Sequence, residues 1–184
     1  MRHTVSAAYI FLFHISLSIL LPLTQSSILP QAEPNNLIAN TCKKTPHYDL
    51  CVSSLESNPE SSSADLNGLA QIMVNIVLSN TSSTLDYIQG LLKEAPEPQL
   101  QRALADCAEL YIPVVKFSLP QAIEALISGH FGFANYGISD AAKEAAACEK
   151  AFSGSIKSPL TDRNSIVRDL ADIATAIINL LQKD

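Results

Sequence analysis

The chain has 184 residues, 47% of them apolar and 6% aromatic, with no tryptophan and a formal net charge of −6. The apolar share is ample for a core. The acidic balance, with no basic stripe interleaved with aromatics, excludes a nucleic-acid binder.

Residues 1–26 open with Arg2 and His3, run through apolar stretches at 7–13 and 19–23, and end in small polar residues. This is the pattern of a secretory signal peptide, with cleavage expected after Ser26. His14, Ser16, Ser18 and Pro22 interrupt the apolar run and disfavour a membrane anchor. No membrane association is expected after cleavage. Loss of Arg2 leaves 11 basic against 18 acidic residues, a net charge of −7. The remaining 158 residues suit one domain.

Residues 27–34 read as a flexible arm. A helical hairpin is expected at 35–57, broken by Pro46, and residues 57–63 are rich in turn formers. A bundle is expected over 63–184. Its first helix spans about 64–93, with Leu66, Leu69, Met73, Ile76, Ile88 and Leu91 near helical spacing. The second spans about 99–128 and contains Pro113 and Pro120, each of which removes a backbone donor, so a kink is expected. Gly129 ends it. The third, about 133–152, is rich in alanine. The fourth begins near Thr161, where Ile166, Leu170, Ile173, Ile177 and Leu180 step by 4, 3, 4 and 3. No strand alternation appears, so the fold class is all-α.

Cys42, Cys51, Cys107 and Cys148 are an even, small set in a chain expected to be secreted, the usual setting for disulfides. Zinc would want closer grouping, such as C-x2-C pairs. A nucleophilic thiol would have to remain unpaired. No metal or other cofactor is expected. Glu94, Glu97, Asp106 and Glu109 read as a solvated helix face rather than a hydrolase pair, and no G-x-S-x-G or glycine-rich phosphate loop occurs. The protein is therefore read as a non-enzyme. Asn80-Thr81-Ser82 is a glycosylation sequon, but Asn80 falls on the apolar stripe of its helix, so occupancy is not expected.

The stretch from Thr41 to Cys51 (TCKKTPHYDLC) resembles the opening of the plant invertase and pectin methylesterase inhibitor family. Asp65-Leu66-Asn67-Gly68-Leu69-Ala70 and the Asp106-Cys107 junction are similar to it as well. The resemblance spans about 35–181. It implies an up-down-up-down four-helix bundle preceded by a helical hairpin, with Cys42 paired to Cys51 and Cys107 to Cys148. Ser118-Leu119-Pro120-Gln121-Ala122-Ile123-Glu124-Ala125-Leu126, Ser139-Asp140-Ala141-Ala142, Cys148-Glu149-Lys150-Ala151-Phe152 and Lys157-Ser158-Pro159-Leu160-Thr161 look like the invertase-inhibitor branch. The implied partner is a plant acid invertase, in the cell wall or alternatively the vacuole, with pectin methylesterase as the alternative target. An apolar-tunnel carrier is the rival from another class, opposed by the continuous seam of the last helix.

Invertase inhibitors of this branch commonly carry Pro-Lys-Phe after Gly-Asp, in the loop between the second and third helices of the bundle. The matching positions here are Gly129-His130-Phe131-Gly132-Phe133, so only the final Phe of the tripeptide is kept. His130, Phe131, Gly132 and Phe133 are the expected target-binding residues. Phe133 is expected to pack into the bundle end, and Gly132 to lend the loop flexibility.

Overall fold

The computed structural model describes residues 34–94, 97–152 and 157–183. The expected signal peptide and residues 27–33 of the arm lie outside the described residues. Pro34 already opens the first helix, α1 (Pro34–Cys42).

α1 and α2 (Tyr48–Glu56) form the hairpin. The Thr45 hydroxyl donates to the Cys42 carbonyl, at 2.9 Å, where α1 stops. His47 then reverses the chain with φ 55°, the one non-glycine residue of positive φ in the structure's described part. Cys42 and Cys51 are joined, their Cα atoms 5.6 Å apart. Both are buried with Ile38 and Leu55. A tight 3-10 turn follows at Pro59–Ser63, its entry fixed by the Asn58 side chain accepting from the Glu60 N–H.

The bundle begins with α3 (Leu66–Glu94). Asp65 caps it, its carboxylate accepting the Gly68 N–H at 2.7 Å. The family-like Asp65-to-Ala70 stretch is thus a helix start. Leu69, Met73, Val77, Thr81, Leu85 and Ile88 form the buried stripe. The buried threonine hydroxyls return to the carbonyls four residues back, Thr81 to Val77 and Thr84 to Asn80. Leu66, Ile76 and Leu91 sit half-buried at its edges.

The expected second helix is three segments: α4 (Pro98–Pro113), a wide π turn (Val114–Ser118) and α5 (Leu119–Ile127). The prolines explain the break. Pro113 and Pro120 cannot donate to the preceding turn, and the Leu119 N–H reaches back five residues to Val114. Residues 98–127 are long and apolar enough to span a membrane by length and composition. Here Leu104, Tyr111, Leu119 and Leu126 are buried in the bundle.

α6 (Phe131–Ala151) and α7 (Thr161–Leu181) complete the set. α3 packs beside α4–α5 and α7, and α6 packs beside the same two. Short connections make sequence neighbours antiparallel, so the bundle runs up-down-up-down, as expected. Cys107 on α4 joins Cys148 on α6, with Cα atoms 4.7 Å apart. The α7 seam is rotated from the expected one. Val167, Leu170, Ala171, Ile173, Ala174, Ile177 and Ile178 are buried, whereas Ile166 is exposed. The small alanines face inward and let neighbouring backbones approach, which a pattern of large apolar residues alone does not reveal.

Candidate target-binding surface

The end of α5 is closed by a Schellman motif. Gly129 takes φ 73°. The His130 N–H donates to the Ala125 carbonyl at 2.8 Å and the Gly129 N–H to Leu126 at 3.1 Å. Only Ser128, Gly129 and His130 separate α5 from α6. The expected flexible loop is therefore a rigid corner, and Phe131, Gly132 and Phe133 form the first turn of α6. Phe131 is half-buried against the core. Phe133 is 76% exposed, contrary to the expected packing. Two residues along a helix point to different sides, so burying Phe131 turns Phe133 outward. The His130 ring meets the Phe133 ring edge-on, centroids 6.5 Å apart.

Tyr136 lies one turn beyond Phe133 on the same helix face and is 72% exposed. The Lys143 ammonium sits 5.8 Å from its ring centroid. Opposite them, across a hollow of about 460 Å³, α5 supplies Gln121 and Glu124. The floor depends on Gly137. A Cβ there would stand 2.5 Å from the Ser118 carbonyl oxygen, so glycine alone lets α6 approach the π turn this closely. Ser118 also donates its hydroxyl to Asp140, at 2.6 Å, fixing α6 against the same turn. Sequence reasoning missed Tyr136, Gln121 and Glu124. The signal was the three-residue spacing of Phe133 and Tyr136 within the helix expected at 133–152, which sets two aromatics on one face.

The opposite end of α6 holds a polar network. The Tyr111 hydroxyl donates to the Asn164 amide oxygen at 2.7 Å. The Asn164 amide nitrogen donates to Glu149 at 2.7 Å, and Ser158 and Thr161 donate to the same carboxylate at 3.0 and 2.6 Å. Burial pushes the Glu149 carboxyl up, but the hydrogen bonds from Thr161, Asn164 and Ser158, with the Arg168 charge, bring it below its ordinary value. Tyr111 is raised, chiefly by burial and then by the Glu149 charge. Two stretches that resemble the invertase-inhibitor branch, 148–152 and 157–161, thus serve to tie α4, α6 and α7 together beside the Cys107–Cys148 bridge.

Asn80 is half-buried within α3, and its side-chain nitrogen donates to the Ile76 carbonyl at 2.9 Å. Glu94, Glu97, Asp106 and Glu109 are all exposed. Among the described residues no group of three or more His, Cys, Asp or Glu side chains gathers as a metal site requires.

The fold and this surface define a class: an all-helical bundle with a helical hairpin, two disulfides and an exposed aromatic corner. Residues 36–177 match the plant invertase/pectin methylesterase inhibitor family, and the chain belongs to it. It is 40% identical over 142 residues to "Cell wall / vacuolar inhibitor of fructosidase 1" of Arabidopsis thaliana, covering 77% of this chain and 67% of that protein. It is 36% identical over 149 residues to "Pectinesterase inhibitor" of Actinidia deliciosa, covering 80% of each. The fold is shared with a crystallised mutant form of a pectin methylesterase inhibitor from Arabidopsis, at TM-score 0.67 and 23% identity, over 78% of this chain and 95% of that one.

Proposed function

We propose that this protein is a secreted, non-enzymatic inhibitor of a plant acid invertase (β-fructofuranosidase), which it blocks by covering the active-site cleft with the α5–α6 corner. The likeness to the fructosidase inhibitor supports the target. The observation that carries the site is the 76% exposure of Phe133 on a rigid corner. Aromatic side chains held out from a helical scaffold at low entropic cost are the residues that dominate protein interfaces. His130 beside it meets the Phe133 ring edge-on and presents imidazole nitrogens that can hydrogen-bond the carboxylates of a glycosidase cleft. Two disulfides suit the cell wall or apoplast, with the vacuole as the alternative, and residues 1–26 serve as the signal peptide.

The second reading, a pectin methylesterase inhibitor, is favoured by the 36% identity to the Actinidia protein and by Gly132 standing where the inhibitors of the invertase branch carry lysine. Inhibition assays with purified acid invertase and with purified pectin methylesterase separate the two. We expect invertase to be inhibited, Phe133→Ala to weaken that inhibition about tenfold or more, and Gly132→Lys to tighten it. A Cβ at Gly132 meets open space, so the lysine enters without distortion. Inhibition of pectin methylesterase with invertase untouched reverses the assignment.

A further inference from the structure

We infer that the groove between α5 and α6 binds a neutral saccharide. The hollow of about 460 Å³ falls in the ordinary range of small-molecule sites. A second hollow, of about 590 Å³, adjoins it and shares Gln121, Phe133 and Tyr136. The two together offer room for more than one sugar ring along the aromatic pair.

The lining has the chemistry such a ligand needs. Phe133 and Tyr136 are 76% and 72% exposed and present flat apolar surface to the C–H face of a sugar ring. Around them stand the Gln121 amide, the Glu124 carboxylate, the Ser128 hydroxyl and the His130 imidazole. Among the described residues none of these four side chains is engaged in a hydrogen bond within the protein. They supply donors and acceptors of both kinds, as vicinal hydroxyls require.

The competing ligand classes fit less well. Among the described residues Glu124 is the one acidic side chain in the lining and no lysine or arginine lines it, so an anionic sugar such as a uronate finds no fixed positive partner there. The floor is small residues and backbone, Ala122, Ala125, Gly137 and the Ser118 turn, with no deep apolar shaft for a lipid. The walls are two helices locked by a Schellman turn and the Ser118–Asp140 hydrogen bond, so little ordering is needed on binding.

The site stands apart from the inhibitory reading in its test, which uses the disulfide-intact protein alone. Sucrose is titrated while backbone amide NMR shifts are recorded, with trigalacturonate as the anionic comparison. We expect saturable shifts at residues 118–137 with millimolar affinity for sucrose, weakened about tenfold by Phe133→Ala. That side chain is mostly solvent-exposed, so the circular dichroism and melting temperature of the variant should match the parent. Shifts that rise linearly without saturating, that survive Phe133→Ala, or that appear only with trigalacturonate overturn the proposal. Sucrose binding without inhibition of invertase would leave the groove standing and remove the inhibitory reading. Inhibition without sucrose binding would do the reverse.

Discussion

Replacing Asn164 by leucine tests the network at the disulfide end. Asn164 is 1% exposed, and leucine keeps the same branching at Cγ with bulkier methyl ends, so the change removes hydrogen bonds without opening a cavity. Three contacts are lost: the bonds from the Tyr111 hydroxyl and to Glu149, each at 2.7 Å, and a weaker one from the Asn164 amide nitrogen to the Cys148 sulfur at 3.5 Å. The Tyr111 hydroxyl, on a residue 1% exposed, is then buried without a partner, which costs about 1–3 kcal/mol. Glu149 is half-exposed and keeps Ser158 and Thr161, so its loss is smaller, about 1 kcal/mol. The total is about 2–4 kcal/mol, or a melting temperature lower by roughly 4–16 °C for a domain of this size. Adding Tyr111→Phe should restore part of it, because the orphaned hydroxyl disappears. The assay is thermal and urea unfolding of the four combinations, with disulfides intact. An Asn164→Leu variant within about 0.5 kcal/mol of the parent, or a Tyr111→Phe change that costs the same in both backgrounds, would refute the reasoning.

Four further outcomes follow from the same structure. Because the Glu149 carboxyl is held below its ordinary value of 4.5, its contribution is complete above that value and is lost as pH falls through the folded one. The stability gap between parent and Glu149→Gln should therefore be constant from neutral to about pH 5 and shrink below about pH 4 in urea titrations. Gly137→Ala should cost about 1–3 kcal/mol, since its Cβ would meet the Ser118 carbonyl at 2.5 Å, and an unchanged unfolding midpoint would sink that account. Opening Cys107–Cys148, which closes a separation of 41 residues, should cost about 4 kcal/mol, against about 2.5 kcal/mol for the 9-residue separation of Cys42–Cys51. Paired Cys→Ala variants compared by urea unfolding test that order. Asn80 should remain unmodified in a plant secretory host, so a mass shift removed by endoglycosidase would contradict the helical setting of its side chain.

The helices and their order were legible because their signals are local: apolar spacing, prolines at breaks, Asp65 at a start and Gly129 at a stop. The kink was legible too, as two prolines seven residues apart, though not its form as a π turn packed closely against Gly137 of α6. What escaped was contact between distant segments. Tyr111, Asn164 and Glu149 look unrelated in sequence, 53 and 15 positions apart, and become one network only when α4, α6 and α7 meet. The corner was half legible. His130 to Phe133 were singled out, but starting α6 two residues late turned a helix face into a loop. With Phe131 in that loop its burial as a helical residue went unread, and so did the outward turn of Phe133 and of Tyr136 one turn on.

Along α6, Phe131 and Cys148 are separated by 17 residues, about 26 Å of helix. The bridge and the polar network occupy one extremity, and the aromatic corner the other. Substitutions at the corner, such as the glycine standing in a position usually given to lysine, can therefore accumulate without loosening the scaffold. A lineage built on this plan can change what it grips while its backbone stays as firm as before.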